Sequence, residues 1–465
     1  MAQTSEDLTK AQWDPVHHFH HWEKPYLGYY LMDDEFVIRK HGQMLADAGV
    51  DTLVFDVPNA ITYDNIWSKI GNIYTDMRLK HIRTPQFCFI TWSRSQENVK
   101  KLYRNLYQQN FYQNLCPEVR NFFTIRTSWA WTQGTAWYGD GQHEQTTVTI
   151  NDHPTSNLGR SHDGLSHTQP NNHDPSSERY FSQQWERALQ IDPSFIFITG
   201  WNEWIAQRFL QQNPTIPFLG KNWSVNTTYF VDLFSQEYSR DAEPMEGGYG
   251  DNYYYQLVGY IRRFKGMSPI QSPTSPKTIL INKDFRQWHG VGPFYLDDLC
   301  DIPTCNHSRY GNKGGHLIDT SQKNDLAVMQ VARDASNVYF YARSRTPWLN
   351  GNAFNWLLLN TDNNYRTGWL GFDYLVDVGA GELKKSIDSS GQWQYQANVT
   401  VVNSGDNELH FALSHRLLNI SGTKMTLQFK WFSADRLYTT SPLNFIDKGD
   451  AAPNGRFTYT YSASI

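Results

Sequence analysis

The stretch Ser194–Trp204, SFIFITGWNEW, decides how the first half of the chain is interpreted. Its apolar run Phe195–Ile198 is short and continuous, which is typical of a strand buried within a parallel sheet. Gly200 ends the run, and the motif WNEW (Trp201–Trp204) follows where the strand would end. In an α/β barrel the loops after the strands carry the chemistry, so this motif predicts a functional site.

The motif combines an acid, an amide and two indoles. Glu203 can transfer protons, and Asn202 can hydrogen-bond hydroxyl groups. The faces of Trp201 and Trp204 can stack on the C–H groups of a sugar ring. Partial burial between the two indoles would favour the protonated form of Glu203, which suits a general acid. The alternative is that Glu203 only caps the next helix between two core tryptophans, and we favour the sugar site.

Other predicted strands also end in side chains that suit a sugar site. The strand VDTLVFD ends at Asp56, which would act as an ionised base or nucleophile, or would simply cap the next segment. Trp92 ends the strand QFCFITW, and Trp129 and Trp131 follow the strand that begins FFTIR. Indoles at several strand ends favour a shared cleft with stacking walls over a purely structural role.

Further contacts to a sugar are predicted on either side of these strands. The segment HHFHHWEKPYLGYY supplies His20 and His21 as polar contacts, and Arg208 follows the WNEW motif in a predicted loop. The histidines have no carboxylate or cysteine at a recognised ligand spacing, so we expect no metal there. No P-loop, dinucleotide-binding glycine pattern, HExxH or GxSxG motif occurs, so we expect no cofactor. The polar stretch 133–178 is expected to be a long irregular insertion.

Apolar periodicity predicts amphipathic helices along the first half of the chain. They cover residues 34–49, 63–82, 96–109, 179–191 and 252–265. Before the last of them, the segment QEYSRDAEPMEGG carries the acids Glu237, Asp241, Glu243 and Glu246. We interpret these acids as structural, in a solvated loop or in salt bridges to Arg240, rather than as a minor part of the site.

Composition limits the classes of partner. A length of 465 residues predicts two domains, and a net charge of −5 argues against nucleic acid. Aromatic residues reach 15%, which suits a carbohydrate ligand. No run approaches the ~18 apolar residues that a membrane span needs. The polar N-terminus does not resemble a signal peptide, so a signal was removed or none existed, and we expect a secreted, periplasmic or cell-surface protein. The oligomeric state is not predicted.

The second half of the chain has a different pattern. Residues 267–277, MSPIQSPTSPK, predict a linker, and short β-branched runs separated by turns predict an antiparallel β-sandwich over 278–465. A polar turn at Asp362 is a candidate for a structural Ca²⁺, with an ordinary Asn/Asp turn as the alternative. The spacing of Cys300 and Cys305 allows either a local disulfide or two free thiols.

The arrangement VDTLVFD, ITW and FITGWNEW resembles the β/α-barrel glycoside hydrolases related to the endo-α-mannosidases. It is most similar to a bacterial group that has a WNEW barrel followed by a β-sandwich. The similarity spans about residues 20–266 and includes HHWEKPYLGYY and QEYSRDAEPM. It implies an α/β fold with a TIM-like (β/α) barrel over 1–266, followed by an all-β domain that binds carbohydrate or braces the barrel. It also implies sugar hydrolysis, with Glu203 as a catalytic carboxylate.

Two features depart from that family. In the endo-α-mannosidases a second Glu follows the motif glutamate by three residues, whereas this chain has Ala206. The second carboxylate must then come from elsewhere, with Asp56 the first candidate, or be absent. The chain also offers fewer strand patterns than a complete eight-stranded barrel needs, so an incomplete barrel, or a first strand disguised in PYLGYYL, is expected.

Together these observations predict a glycoside hydrolase that cleaves a polysaccharide or glycan by carboxylate general acid/base catalysis. Two alternatives remain from the sequence. One is a non-catalytic glycan-binding protein on a degenerate barrel, and the other is a polysaccharide lyase that uses Tyr and His.

Overall fold

The computed structural model describes most of the chain, in two halves. The described residues are 2–3, 15–57, 61–91, 94–107, 137–138, 144–152, 158–177, 179–212, 224–230, 233–301, 305–308, 316–319, 324–348, 355–404 and 406–464. We call residues 15–266 the α/β half and residues 278–464 the β half. Residues 267–277, the predicted linker, contain no helix or strand.

The helices of the α/β half lie where periodicity predicts them. They are α1 (Glu35–Ala48), α2 (Asp64–Leu79), α3 (Ser95–Leu102, continued by a π-helix at Tyr103–Tyr107), α4 (Arg179–Ile191) and α5 (Asn252–Lys265). Helix α1 begins where the carboxylate of Asp34 accepts the N–H of Val37, and it ends at Gly49, whose φ of 87° favours glycine. None of the helices in the described residues is long and apolar enough to cross a membrane.

The strands of the α/β half form parallel pairs and a small antiparallel sheet. They are β1 (Ala2–Gln3), β2 (Phe19–His21), β3 (Thr52–Asp56), β4 (Gln86–Ile90), β5 (Trp137–Tyr138), β6 (Gln145–Thr149), β7 (Phe195–Thr199), β8 (Ile205–Leu210) and β9 (Thr228–Phe230). Strand β3 pairs in parallel with β4, and β6 with β7, with a helix between the members of each pair. The described strands therefore have a mixed α/β arrangement, and a closed eight-stranded barrel is not among them.

Three local predictions in this half are wrong. Strand β6 lies within the stretch expected to be irregular, because its Thr- and Val-rich sequence pairs along β7 and buries Val148 completely. Strand β8 replaces the loop predicted around Arg208, because it pairs with both β2 and β9. The strand of that sheet nearest to PYLGYYL is β2 at Phe19–His21, and PYLGYYL itself forms no strand.

The β half consists of antiparallel sheets. Its elements are β10 (Phe294–Leu296), β11 (Cys305–Ser308), β12 (His316–Asp319), β13 (Leu326–Arg333), β14 (Asn337–Ser344), β15 (Asn355–Asn360), β16 (Tyr374–Asp377), β17 (Glu382–Ser386), β18 (Trp393–Asn398), β19 (Val401–Asn403), β20 (Glu408–Ser414), β21 (Lys424–Ser433), α6 (Asn444–Asp447), β22 (Asp450–Ala452) and β23 (Tyr459–Ser464), with a 3₁₀ turn at Phe285–Trp288. One sheet has the order β10-β13-β14-β20-β19, and the other has the order β18-β17-β16-β15-β21-β22, with β23 also on β21.

The two large sheets share one hydrophobic core. Phe340 on β14 stacks on Phe411 of the same sheet at 5.6 Å and meets Phe429 of the other sheet edge-to-face at 6.3 Å. All three rings are fully buried. Two antiparallel sheets that interleave their inner faces form a sandwich-like arrangement, as the short β-branched runs predict.

Two smaller predictions concern turns of the β half. The carboxylate of Asp362 accepts the N–H of Asn364 at 2.8 Å and the hydroxyl of Thr367 at 2.9 Å, the hydrogen bonds of an ordinary Asn/Asp turn. The Ca²⁺ prediction at Asp362 stays a prediction. Cys300 carries a free thiol, which excludes the local disulfide.

The two halves contact each other through polar side chains. Tyr26 donates to Asp447 of α6 at 2.6 Å, and Asn454 donates to Asp47 of α1 at 3.1 Å. Arg456 of the β half lies 3.1 Å from Asp251, directly before α5. These contacts attach the β half to the faces of α1 and α5.

Candidate active site

The WNEW motif follows β7 and lies beside a segment that is distant in sequence, RDAE (240–243). The N–H of Gly200 donates to the carbonyl of Arg240 at 2.8 Å, and the N–H of Ala242 donates back to Gly200 at 3.2 Å. A Cβ atom at Gly200 would lie 3.1 Å from the carboxylate of Asp241, so the close approach favours glycine. Backbone pairing thus brings the acids of RDAE under the motif.

Glu203 presents its carboxylate at the surface. Its side chain is 55% exposed, and Oε2 lies 3.8 Å from Nη2 of Arg240, whose own side chain is only 13% exposed. The main-chain carbonyl of Glu203 accepts the indole N–H of Trp22 at 3.0 Å, which fixes the loop from below. The prediction that Glu203 is partly buried between two indoles is therefore wrong, and the nearby guanidinium stabilises its negative charge.

Asp241 lies directly beneath Glu203. Its side chain is buried, and it accepts the backbone N–H of Glu203. Burial raises the pKa of Asp241 to about 6, although that N–H and the charges of Arg240 and Arg160 act in the opposite direction. Asp241 is thus too deep to touch a substrate, but it positions the backbone that carries Glu203.

Arg160 supports this arrangement from the interior. It is fully buried, and its Nη2 donates to the carbonyl of Asp241 at 2.8 Å and to Ser239 at 2.6 Å. Its guanidinium carbon lies 4.3 Å from the ring centroid of Tyr249 and 4.2 Å from that of Tyr253. A guanidinium between two aromatic faces keeps its charge without water, so it can hold RDAE in place.

Glu243 organises a second set of contacts beneath the motif. Its side chain is 2% exposed, and its carboxylate accepts Trp204 Nε1 at 2.5 Å and the hydroxyl of Tyr30 at 2.7 Å. His41 Nε2 of α1 lies 2.8 Å from its other oxygen. The hydroxyl of Tyr30 in turn accepts Asn202 Nδ2 at 3.1 Å. One buried carboxylate therefore orients both Trp204 and Asn202.

The structure changes the roles predicted for two of three rings. Trp204 is 6% exposed and stacks on Trp22 at 4.4 Å, so it is a core residue rather than a platform for a sugar. His20 is fully buried against Phe230 and cannot contact a substrate. Trp201 is half-buried and meets His41 edge-to-face at 5.5 Å, which leaves part of it accessible.

The two other polar residues predicted on this side remain partly accessible. His21 is half-buried, its Nδ1 lies 3.0 Å from the hydroxyl of Tyr29, and burial lowers its pKa. Arg208 lies on β8 and donates to Thr228 on β9 at 3.1 Å. Both lie on the sheet formed by β2, β8 and β9, whose strand β8 directly continues the WNEW motif.

Asp56 lies at the end of a parallel strand, as the WNEW motif does. It is exposed, it ends the parallel strand β3, and it lies opposite Ile90 at the end of β4. Its role as the second carboxylate stays a prediction, and its exposed position at the end of a parallel strand is suitable for that role. Trp92, Trp129 and Trp131, predicted as stacking walls, lie outside the described residues.

Sequence reasoning missed the residues that hold the site together. Tyr30 and His41 were not singled out, and Arg240 was predicted only as a salt-bridge partner of the acids around RDAE. Asp241 and Glu243 are instead buried, and the ion pair of Arg240 is with Glu203. The available signal was the predicted family resemblance, which includes QEYSRDAEPM as well as WNEW.

Comparisons of the chain with protein-family models, with curated proteins and with solved structures found no match. The family resemblance therefore stays a prediction. The site itself offers an exposed carboxylate, a neighbouring guanidinium and an amide on one loop, all supported by buried acids. Such a group can stabilise positive charge, accept protons and hydrogen-bond hydroxyl groups.

Proposed function

We propose that the protein is a glycoside hydrolase that acts on a polysaccharide or glycan, with Glu203 as a catalytic carboxylate. The observation that carries the proposal is the position of Glu203. It lies at the end of a parallel strand, half-exposed, beside Arg240 and above a buried layer that fixes its backbone. An exposed carboxylate on a well-supported backbone is better suited to the role of a reacting group than to that of a helix cap.

Glycoside hydrolysis needs two carboxyl groups, of which one donates a proton to the leaving oxygen. Glu203, beside the guanidinium of Arg240, is the candidate for one of these groups. Asp56, exposed at the end of β3, is the candidate for the other. Asn202 would hydrogen-bond a hydroxyl beside the reacting carbon, with Tyr30 and Glu243 fixing its amide.

The direct test is a product assay on plant, algal and microbial polysaccharides with the wild type and Glu203→Gln. We expect new reducing ends from the wild type and a loss of at least ~10²-fold in Glu203→Gln, because the variant lacks the charge that stabilises the transition state. The matched control is Glu186→Gln. It breaks another exposed Glu–Arg pair of the α/β half, with Arg263, and should keep full activity.

Each of the other outcomes contradicts the proposal in a recognisable way. Retained activity in Glu203→Gln removes this residue from the chemistry. Binding of one glycan without new reducing ends from the wild type indicates a non-catalytic glycan-binding protein. An unsaturated product that absorbs in the ultraviolet indicates a lyase. The secreted or cell-surface location stays a prediction that accompanies this proposal.

A further inference from the structure

Three aspartates converge at one end of the β half, far along the chain from the WNEW motif. Asp301 follows β10, Asp325 precedes β13, and Asp450 begins β22. Each offers an oxygen, and these oxygens lie within 4.8 Å of one another. The three residues are 8%, 7% and 2% exposed. We call Asp301, Asp325 and Asp450 the aspartate cluster.

Two of these carboxylates are only half satisfied by the protein. Asp450 Oδ2 accepts the N–H of Leu326 at 2.5 Å, and Asp301 Oδ2 accepts Gln43 Nε2 at 2.7 Å. Within the described part of the chain, Oδ1 of Asp301 is buried and has no hydrogen-bond partner, and Oδ1 of Asp450 has no donor other than the neighbouring carboxyl group of Asp297. A buried charged oxygen without a partner is costly, so these atoms indicate a ligand that the protein does not itself provide.

Among the described residues, the basic side chains nearby donate to a carboxylate of the cluster only at Asp325. Arg345 Nε donates to Asp325 at 2.5 Å, Lys40 donates to the main-chain carbonyl of Asp301 at 3.2 Å, and Lys430 donates to a main-chain carbonyl. Further carboxyl groups surround the aspartate cluster. The neighbours that add negative charge are Asp47, Asp297 and Asp298. These carboxyl groups outnumber the basic side chains that reach them.

We propose that the aspartate cluster binds a hard divalent cation of the Ca²⁺ class. Ca²⁺ binds oxygen ligands at about 2.3–2.6 Å, so two oxygens on one ion lie no more than about 5 Å apart, as they do here. The group contains carboxylates and neither His nor Cys, which disfavours zinc and copper. The variable coordination of Ca²⁺ accommodates water and main-chain carbonyls, whereas Mg²⁺ demands a near-ideal octahedron.

The position of the cluster gives the cation a structural consequence. It would join the segments before β13, after β10 and at the start of β22, which are distant in sequence. Gln43 of α1 donates to Asp301 and also to Asp298 at 2.9 Å, so the same site reaches the α/β half. Binding should therefore stabilise the β half together with its junction to α1.

Calorimetric titration of the full chain, freed of metal with a chelator, tests the proposal. We expect one Ca²⁺ per chain, weaker binding of Mg²⁺ by at least ~tenfold, and a melting temperature that rises with Ca²⁺ concentration. Asp301→Asn and Asp450→Asn should each weaken Ca²⁺ binding by at least ~tenfold, because each removes one charged ligand. Asp362→Asn, in the exposed turn first suspected of binding Ca²⁺, is the control and should bind as the wild type does.

Two results would overturn the proposal. One is a wild-type chain that shows neither heat of binding nor a change in melting temperature between chelator and millimolar Ca²⁺. The other is binding that persists in Asp301→Asn and Asp450→Asn, or that disappears in Asp362→Asn. The wild-type comparison needs no variant, so it decides the question even where a substitution impairs folding.

Discussion

Each half of the molecule buries a group of carboxylates, and the two groups are satisfied in different ways. In the α/β half, Glu243 accepts hydrogen bonds from Trp204 and Tyr30 and contacts His41. In the β half, Oδ1 of Asp301 has no hydrogen-bond donor within the described residues, and Oδ1 of Asp450 has only the neighbouring carboxyl group of Asp297. Glu243 therefore serves as a completed support, whereas the aspartate cluster is an incomplete site.

The comparison teaches how to interpret a buried acid. A carboxylate that is surrounded by protein donors holds those donors in place, so its value lies in positioning. A carboxylate that faces other carboxylates raises the free energy of the folded state until a cation arrives. Substitutions should therefore have opposite consequences in the two groups.

Glu243→Ala should produce the largest loss of stability. It leaves the indole N–H of Trp204 and the hydroxyl of Tyr30 buried without an acceptor. Breaking a buried charged network in this way costs about 3–5 kcal/mol. Urea unfolding of the variant measures the loss.

The control for this substitution is Glu246→Ala, only three residues away. Glu246 is 57% exposed and pairs with Lys24 at the surface, so its removal should change the free energy of unfolding by less than about 1 kcal/mol. Equal losses in the two variants would contradict the positioning role of Glu243.

Asp241 should make stability depend on pH in a definite direction. Burial raises its pKa to about 6 from an ordinary value of 3.8, against the opposing charges of Arg240 and Arg160. Between these two values the unfolded chain has released this proton and the folded protein still holds it, so stability falls as pH rises through the window. The shift corresponds to about 3 kcal/mol. Unfolding at several pH values from 4 to 7 should show the fall.

Asp241→Asn carries no such proton and should lose less stability over the same pH range. Asp362→Asn, in an exposed turn, should follow the wild-type profile. These comparisons are best made at one saturating Ca²⁺ concentration, since the aspartate cluster also contains titrating groups. Parallel profiles for the wild type and Asp241→Asn would show that Asp241 is not the group that titrates.

The effect of Asp450→Asn on stability should depend on whether Ca²⁺ is bound. In chelator the substitution removes one charge from an overcrowded cluster while its carbonyl can still accept the N–H of Leu326, so stability should be unchanged or about 1 kcal/mol higher. In Ca²⁺ at about 100 times the dissociation constant, the wild type gains about 2.7 kcal/mol that the variant lacks. Melting curves in both conditions test this, and the same sign in both would contradict the contrast between the two groups.

The sequence predicted the elements whose patterns are local. Helix α1 combines an Asp cap, an apolar face and a terminal glycine, and the long strands of the β half alternate clearly, so their positions required no tertiary information. Strand β6 was missed because its residues are polar threonines, and only the parallel pairing with β7 makes them a buried strand. The hydropathy of the sequence alone does not predict that pairing.

The candidate site was only partly predictable for the same reason. The WNEW motif and its exposed glutamate are visible in a continuous stretch of sequence. The exposure of Glu203, the burial of Trp204 and the pairing with Arg240 depend on a segment almost 40 residues later in the chain. The aspartate cluster draws its members from positions as far apart as Asp301 and Asp450, so no local spacing announces it.

Glu203→Gln should have the smallest effect on stability although it has the largest proposed effect on activity. The side chain is half-exposed, and its pairing with Arg240 at 3.8 Å is a surface ion pair, which contributes less than about 1 kcal/mol. Glutamine keeps the shape of the side chain, and the backbone contacts to Asp241 and Trp22 are unaffected. Urea unfolding should therefore place this variant beside the wild type, in contrast to Glu243→Ala. A loss as large as that of Glu243→Ala would assign Glu203 to the supporting network, because a half-exposed side chain with only a surface ion pair should contribute little to folding.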